Sequence, residues 1–134
     1  MLTIHARLVA DMVAQAKRDH PIETCGVICG PVNSDRPTRL IPMRNIAQSN
    51  VFFQFDSREQ LKLWREMEDR DEECVVIYHS HTASIAYPSR DDVKFASEPN
   101  VHYVIIPTDP WYGEMPRSFR IVDNIITEEP VRII

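Results

Sequence analysis

The first third of the chain changes from a helical to an extended hydrophobic pattern. Apolar side chains recur at intervals of three and four from Ala6 to Asp19, at Leu8, Val9, Met12, Val13 and Ala16. This spacing predicts an amphipathic helix with one face on a core. Pro21 disfavours helical torsions at the residue before it and so marks the end of this helix. The short segment Leu2–Ile4 and the continuous apolar run Cys25–Gly30 predict strands, the second of them buried.

The middle of the chain predicts two further strands and a second helix. Thr38–Ile41 and Val51–Phe55 have strand composition, and Pro42 is expected to end the first of them. Asp56 and Glu59 have the spacing of a capping box and therefore predict a helix start. The predicted apolar stripe of that helix consists of Leu61, Trp64 and Met67.

The second half mixes strands with a third helix. The pattern predicts strands over Val75–His81, Val101–Ile106 and Arg117–Val122, a helix from Ser89 to about Ser97, and one or two short strands within Ile125–Ile134. Strands and helices follow one another without strict βαβ repetition. The sequence therefore predicts an α/β fold in which one curved mixed sheet carries helices on its faces.

Composition and charge narrow the class of protein. A chain of 134 residues suits one domain, and we expect residues 1–134 to form it. The net charge of −5 argues against nucleic acid or an anionic membrane as partner. No apolar run is long enough to span a bilayer and no charged-then-apolar leader is present, so we expect a cytoplasmic protein without a membrane partner.

The three cysteines Cys25, Cys29 and Cys74 lack the paired spacing of a structural zinc site. We interpret them as reduced, buried, small hydrophobic residues. A regulatory thiol remains an alternative, because Cys25 is only two residues from Glu23.

Candidate chemistry gathers at the end of one strand and the start of the next helix. His79 and His81 are two residues apart at the end of a predicted strand, so both project from the same face. Ser89, which follows Pro88, is a predicted N-cap, and it places Asp92 in the first helical turn. Two imidazoles and one carboxylate can converge on a single zinc ion and leave a fourth position for water, as catalytic zinc sites do.

The spacing of these residues resembles the signature of the JAMM (MPN-domain) metalloproteases. His79, His81, Ser89 and Asp92 fit the pattern His-x-His, seven residues, Ser, two residues, Asp. The resemblance implies the cytidine-deaminase-like α/β fold of the JAMM/MPN family. It also implies one zinc ion with a bound water, held by His79, His81 and Asp92. Glu23 stands where the family has an upstream glutamate, which implies that it is the general base.

The implied reaction is hydrolysis at a carbonyl. Zinc lowers the pKa of a bound water toward about 7, and Glu23 would accept that water's proton and pass it to the leaving amine. Ser89 is expected to donate a hydrogen bond to the developing oxyanion. Capping of the helix is the competing role for the same hydroxyl.

The family cleaves bonds after the C-terminal diglycine of ubiquitin and ubiquitin-like proteins. The runs Val76–Ala83, Ala86–Arg90 and Arg120–Asp123 resemble one prokaryotic group, the Mec-type peptidases. That group releases cysteine from the C-terminus of a ubiquitin-like sulfur carrier, CysO, in cysteine biosynthesis. The expected partner is therefore a carrier protein that ends in Gly-Gly.

Three other functions are weighed against this one. A general deconjugase would cut isopeptide-linked conjugates of a ubiquitin-like protein. A non-catalytic MPN scaffold typically lacks a ligand or the glutamate, whereas this sequence retains all of them. A zinc nucleoside deaminase requires His-x-Glu and Pro-Cys-x-x-Cys, and neither occurs here.

Overall fold

A computed structural model describes all 134 residues. The helices are α1 (Ala6–Asp19), α2 (Ser57–Asp69) and α3 (Arg90–Phe95), with a short 3-10 turn at Pro110–Tyr112. The strands are β1 (Leu2–Ile4), β2 (Cys25–Pro31), β3 (Arg39–Met43), β4 (Glu72–His81), β5 (His102–Pro107), β6 (Arg117–Val122), β7 (Ile125–Glu129) and β8 (Val131–Ile133). None of the three helices has the length and apolar character that crossing a bilayer requires.

Six strands form a mixed sheet in the order β3-β2-β4-β5-β6-β7. Only β4 and β5 are parallel, and the other neighbours are antiparallel. The predicted α/β class with a mixed sheet and flanking helices is confirmed. The structure differs from the expected single sheet in one respect. Strands β1 and β8 pair in parallel with each other as a separate two-stranded ribbon. Leu2 and Ile4 are buried against α1, so this ribbon completes the core on that side.

The core lies on both faces of β4. On one face Val76 and Tyr78 pack with Leu8 and Met12 of α1. On the opposite face Ile77 packs in a separate cluster with residues of β5 and β6. Side chains of a strand alternate between faces, so the residues that share a face with Ile77 are His79 and His81.

Gly26 of β2 allows β2 to approach the ring of Tyr78 on β4. The two residues are register partners, and a Cβ on Gly26 would overlap the Tyr78 hydroxyl. That hydroxyl donates a hydrogen bond to Gln15 of α1. The glycine therefore permits a contact that fastens the central strands to α1.

The predicted strand Val51–Phe55 is wrong. The segment is irregular apart from one isolated bridge between Asn45 and Phe55. The side chain of Asn45 donates to the carbonyl of Phe52 and accepts from the N–H of Gln54. These bonds use backbone groups that a neighbouring strand would otherwise pair, so strand composition alone is not sufficient here.

Two smaller expectations also differ from the structure. Leu61 is 53% exposed, and the buried residues of α2 are Leu63 and Met67. Pro42 lies within β3 rather than after it. Since β3 is at the edge of the sheet, a proline there is tolerated where its missing N–H would face away from the neighbouring strand.

Candidate metal centre

Three side chains converge at the end of β4. The two imidazole Nε2 atoms of His79 and His81 are 3.2 Å apart. The Oδ2 atom of Asp92 lies 3.1 Å from Nε2 of His79 and 3.0 Å from Nε2 of His81. Around a tetrahedral zinc ion with bonds of about 2.0 Å, neighbouring ligand atoms are about 3.3 Å apart. The triangle of donor atoms therefore fits zinc closely, and both the chemistry and the geometry of the set suit that ion.

Local structure accounts for the position of each donor. His79 and His81 project from the same face at the end of β4, which is paired on both sides by β2 and β5. Ser89 caps α3, and its Oγ accepts from the N–H of Asp92 at 3.1 Å. In return the N–H of Ser89 donates to Oδ2 of Asp92 at 2.8 Å. This capping box directs the Asp92 carboxylate toward the two imidazoles.

In the metal-free site, the pKa shifts favour the metal-binding protonation states of Asp92 and His79 but not that of His81. Burial alone would raise the pKa of Asp92, but hydrogen bonds with His79 and His81 hold it well below its usual range. Burial lowers the pKa of His79 and outweighs the opposing effect of Asp92. For His81, burial is outweighed by hydrogen bonds to Asp92 and the Ile85 carbonyl, so its pKa is raised. Metal binding at His81 therefore competes with a proton.

Glu23 lies at the entrance to β2, and its carboxyl interacts electrostatically with His81 and Asp92 of this cluster. Its side chain is buried, and its Oε1 atom has no hydrogen-bond partner. Burial raises the pKa of Glu23 to about 8, with His81 opposing and Asp92 reinforcing the shift. A buried carboxyl with a pKa near neutrality is suited to general acid–base chemistry.

Two hydrogen bonds that the sequence pattern did not predict hold the backbone of Thr24, the residue after Glu23, against β4. The N–H of Thr24 donates to Oγ of Ser80 at 2.8 Å, and the N–H of Ser80 donates to the carbonyl of Thr24 at 3.1 Å. Ser80 lies between the two histidines and faces the opposite side of the strand. A polar residue inside an apolar strand was the available signal for this role.

Asn45 organises the loop that covers Glu23. Its side-chain amide donates to the carbonyls of Glu23 at 3.1 Å and Phe52 at 2.9 Å, and its Oδ1 accepts from the N–H groups of Ala47 and Gln54. The amide is thus fully used in a buried position. No local pattern distinguishes this asparagine from an ordinary loop residue.

A cleft of about 450 Å³ adjoins the cluster on the side of His79 and Asp92. Its lining includes several aromatic side chains, namely Phe52, Phe53, Phe55, Trp64, Phe95 and Tyr103. Asp91 and Glu98 add carboxylates, and the cleft has no lysine or arginine in its lining. It is therefore a mainly apolar cleft with acidic groups beside the site.

The cysteines are free thiols. Cys25 and Cys29 are buried and Cys74 is half-buried. Burial raises the pKa of Cys25 to about 12 and raises those of Cys29 and Cys74 as well. Thiolates are the reactive form, and burial disfavours them here, which agrees with the interpretation as small hydrophobic residues.

Comparison with known proteins gives concordant matches. A family model described as prokaryotic homologs of the JAB domain matches residues 5–122. The CysO-cysteine peptidase of Mycobacterium tuberculosis is 60% identical over 135 aligned positions, covering 100% of this chain and 92% of that protein. The desampylase of Pyrococcus furiosus is 38% identical over 73 residues, covering 54% of this chain and 51% of that protein. The solution structure of a Desulfitobacterium hafniense protein superposes with a TM-score of 0.85 at 31% identity, covering 100% of this chain and 93% of that one.

Proposed function

Because the chain belongs to the family of prokaryotic homologues of the JAB domain, we propose that it is a zinc-dependent peptidase of the JAMM type. The proposed reaction hydrolyses the bond after the C-terminal Gly-Gly of a ubiquitin-like sulfur carrier and releases cysteine. The observation that carries the proposal is the convergence of His79, His81 and Asp92 within 3.0–3.2 Å of one another. The 60% identity to a CysO-cysteine peptidase supports the choice of substrate.

The proposed zinc ligands are Nε2 of His79, Nε2 of His81 and Oδ2 of Asp92. When bound there, zinc supplies Lewis-acid polarisation of a carbonyl and a lowered pKa of water. Asp92 is held in its ionised form by its hydrogen bonds, and the Ile85 carbonyl fixes the ring of His81 through Nδ1 at 2.8 Å. These residues thus present three donor atoms in a fixed arrangement.

Glu23 would accept a proton from the attacking water at its carboxylate and deliver it to the leaving amine. Its pKa of about 8 in the metal-free protein reflects burial without a hydrogen-bond partner for Oε1. A nearby cation favours the ionised form of a carboxyl. With zinc bound in the neighbouring cluster, Glu23 would therefore be a carboxylate, which is the form that accepts a proton. Its backbone is held by Ser80 through Thr24, and by Asn45, which keeps the carboxyl near the cluster.

The Ser89 hydroxyl is proposed to serve in two ways, as an acceptor in the helix cap and as a donor to the substrate. Its Oγ accepts the hydrogen bond from the Asp92 N–H and so caps α3. A hydroxyl also carries one hydrogen to donate, and acceptance from the N–H does not use it. We assign that hydrogen to the substrate carbonyl oxygen, where negative charge develops during hydrolysis.

The substrate tail is proposed to enter in an extended form. Glycine lets a backbone approach closely and adopt torsions that other residues resist, which suits a diglycine end beside a buried cluster. The apolar cleft next to His79 and Asp92 offers a path for the preceding residues. We therefore propose as partner a ubiquitin-like carrier protein with a free C-terminal tail.

A general deconjugase is the second candidate, favoured by the partial similarity to a desampylase. It would share the metal centre and differ only in the amine that leaves. A non-catalytic scaffold is the weakest alternative, since every residue of the proposed machinery is present and the three donor atoms already converge.

The test offers two substrates in parallel to zinc-loaded protein, with products identified by mass spectrometry. One is a ubiquitin-like carrier ending in Gly-Gly-Cys, and the other is the same carrier joined through Gly-Gly to a lysine side chain. We expect the first to lose its cysteine much faster. The Glu23→Gln variant serves as the control for contaminating peptidases. Cleavage of the lysine-linked substrate alone would favour the deconjugase, and cleavage of neither would refute both.

A further inference from the structure

The two histidines of the metal centre are held by different means. Nδ1 of His81 lies 2.8 Å from the carbonyl of Ile85, which can only accept, so this bond fixes both the tautomer and the ring plane. Nδ1 of His79 is buried and has no hydrogen-bond partner. Histidine metal ligands almost always donate from the second ring nitrogen to a carboxylate, carbonyl or water. His79 therefore lacks the hydrogen bond from the protein that usually orients such a ring.

A stacked aromatic ring occupies one face of His79. The centroid of Phe53 is 4.5 Å from that of His79, with 24° between the ring planes. The other aromatic contact of His79 is His81 itself, edge-on at 5.0 Å and 64°. The second side-chain torsion of histidine is broad and weakly determined by its own geometry, so a flat neighbour at van der Waals distance is an effective restraint on it.

The Phe53 ring is itself held in place. Its ring centroid lies 5.7 Å from that of Phe55. On either side of Phe53 in the chain, Asn45 bonds the carbonyl of Phe52 at 2.9 Å and the N–H of Gln54 at 3.1 Å. The same asparagine bonds the carbonyl of Glu23. The loop that supports the proposed base therefore also presents the ring that lies on the proposed ligand.

We propose that Phe53 is the positioning residue of His79. Its ring face substitutes for the absent hydrogen bond at Nδ1 and keeps Nε2 directed toward Nε2 of His81 and Oδ2 of Asp92. Phe53 would act through the histidine, because its side chain has no atom that can ligate a metal ion. This inference rests on the proposed function only in requiring that the cluster bind zinc.

The experiment measures zinc affinity by competition with a chromophoric chelator, starting from metal-free protein. Phe53→Leu and Phe53→Met keep an apolar side chain and remove the aromatic face, and Phe53→Tyr retains the face. Phe52→Leu is the matched control, because Phe52 lines the same cleft but pairs with Phe95 instead of His79. Unfolding of each metal-free variant separates a loss of affinity from a loss of fold.

We expect Phe53→Leu and Phe53→Met to bind zinc about 3- to 10-fold more weakly than wild type, in the range of the energy of an aromatic pair. Phe53→Tyr and Phe52→Leu should remain within about 2-fold. If Phe53→Leu and Phe53→Met both bind zinc with wild-type affinity, or if Phe52→Leu loses zinc affinity equally, the inference about Phe53 is wrong. The proposed function is not affected by either result. A wild-type chain that binds no zinc would overturn the proposed function together with the inference.

Discussion

The buried carboxyl of Glu23 should give the metal-free protein a pH-dependent stability that Glu23→Gln removes. Glu23 is 4% exposed, its Oε1 has no hydrogen-bond partner, and burial raises its pKa to about 8. In the unfolded chain the same carboxyl ionises near its ordinary value of 4.5. The folded and unfolded states therefore bind different numbers of protons between these two values.

The direction of the effect follows from proton linkage. Between pH 4.5 and pH 8 the folded protein keeps the proton on Glu23 and the unfolded chain has lost it, so raising the pH favours unfolding. At about 1.4 kcal/mol per pH unit, this interval corresponds to an upper bound of roughly 5 kcal/mol. Water entry and local relaxation reduce that figure, and we expect about 2–4 kcal/mol. Glutamine is uncharged throughout and escapes the loss.

The assay is urea unfolding of chelator-treated wild type and Glu23→Gln between about pH 5 and about pH 8.5. The stability gained by the variant over wild type should grow across this range by about 2–4 kcal/mol. Glu68→Gln is the control for the substitution itself, since Glu68 is exposed. A difference between Glu23→Gln and wild type that does not change with pH would refute the reasoning. Zinc should narrow the difference, because a nearby cation favours the ionised carboxylate.

Three substitutions test other parts of the account. Gly26→Ala should destabilise the protein by about 3 kcal/mol in urea unfolding, because the new Cβ overlaps the buried ring of Tyr78; a neutral effect would show that the strands can separate. His102→Ala should cost about 2–4 kcal/mol by the same assay, since it leaves the buried carboxylate of Glu129 without its 2.7 Å partner. Its zinc content should stay unchanged, and a loss of zinc would connect His102 to the metal centre. Ser89→Ala should cost about 1 kcal/mol as a lost N-cap and lower turnover of the carrier–cysteine substrate at least about 10-fold; full turnover would restrict Ser89 to capping.

The donor set was predictable because its geometry is local. The parity of a strand puts His79 and His81 on one face, and an N-cap at Ser89 puts Asp92 in the first turn of α3. Both rules depend on only a few neighbouring residues. Glu23 is different, because it approaches the cluster through the pairing of β2 with β4. Only the resemblance to a family pattern pointed to it.

The supporting residues were not predictable because their roles are tertiary. Asn45 forms hydrogen bonds with backbone groups up to 22 positions away, and Phe53 contacts His79, which lies in a distant segment of the chain. The hydrogen bonds of the Asn45 side chain to Phe52 and Gln54 are also the reason that the strand predicted for Val51–Phe55 does not form. On α2, Leu61 and Leu63 both fit a helical stripe that includes Met67, and only the orientation against the sheet selects Leu63.

Zinc content of the purified, dialysed protein tests the proposed metal centre most directly. Elemental analysis should find about one zinc per chain in wild type and in Glu23→Gln, because Glu23 is not a proposed ligand. The double substitution of His79 and His81 by Ala should remove the metal, since it deletes two of the three donor atoms that lie within 3.2 Å of one another. Full zinc content in the double variant would contradict the assignment of the site.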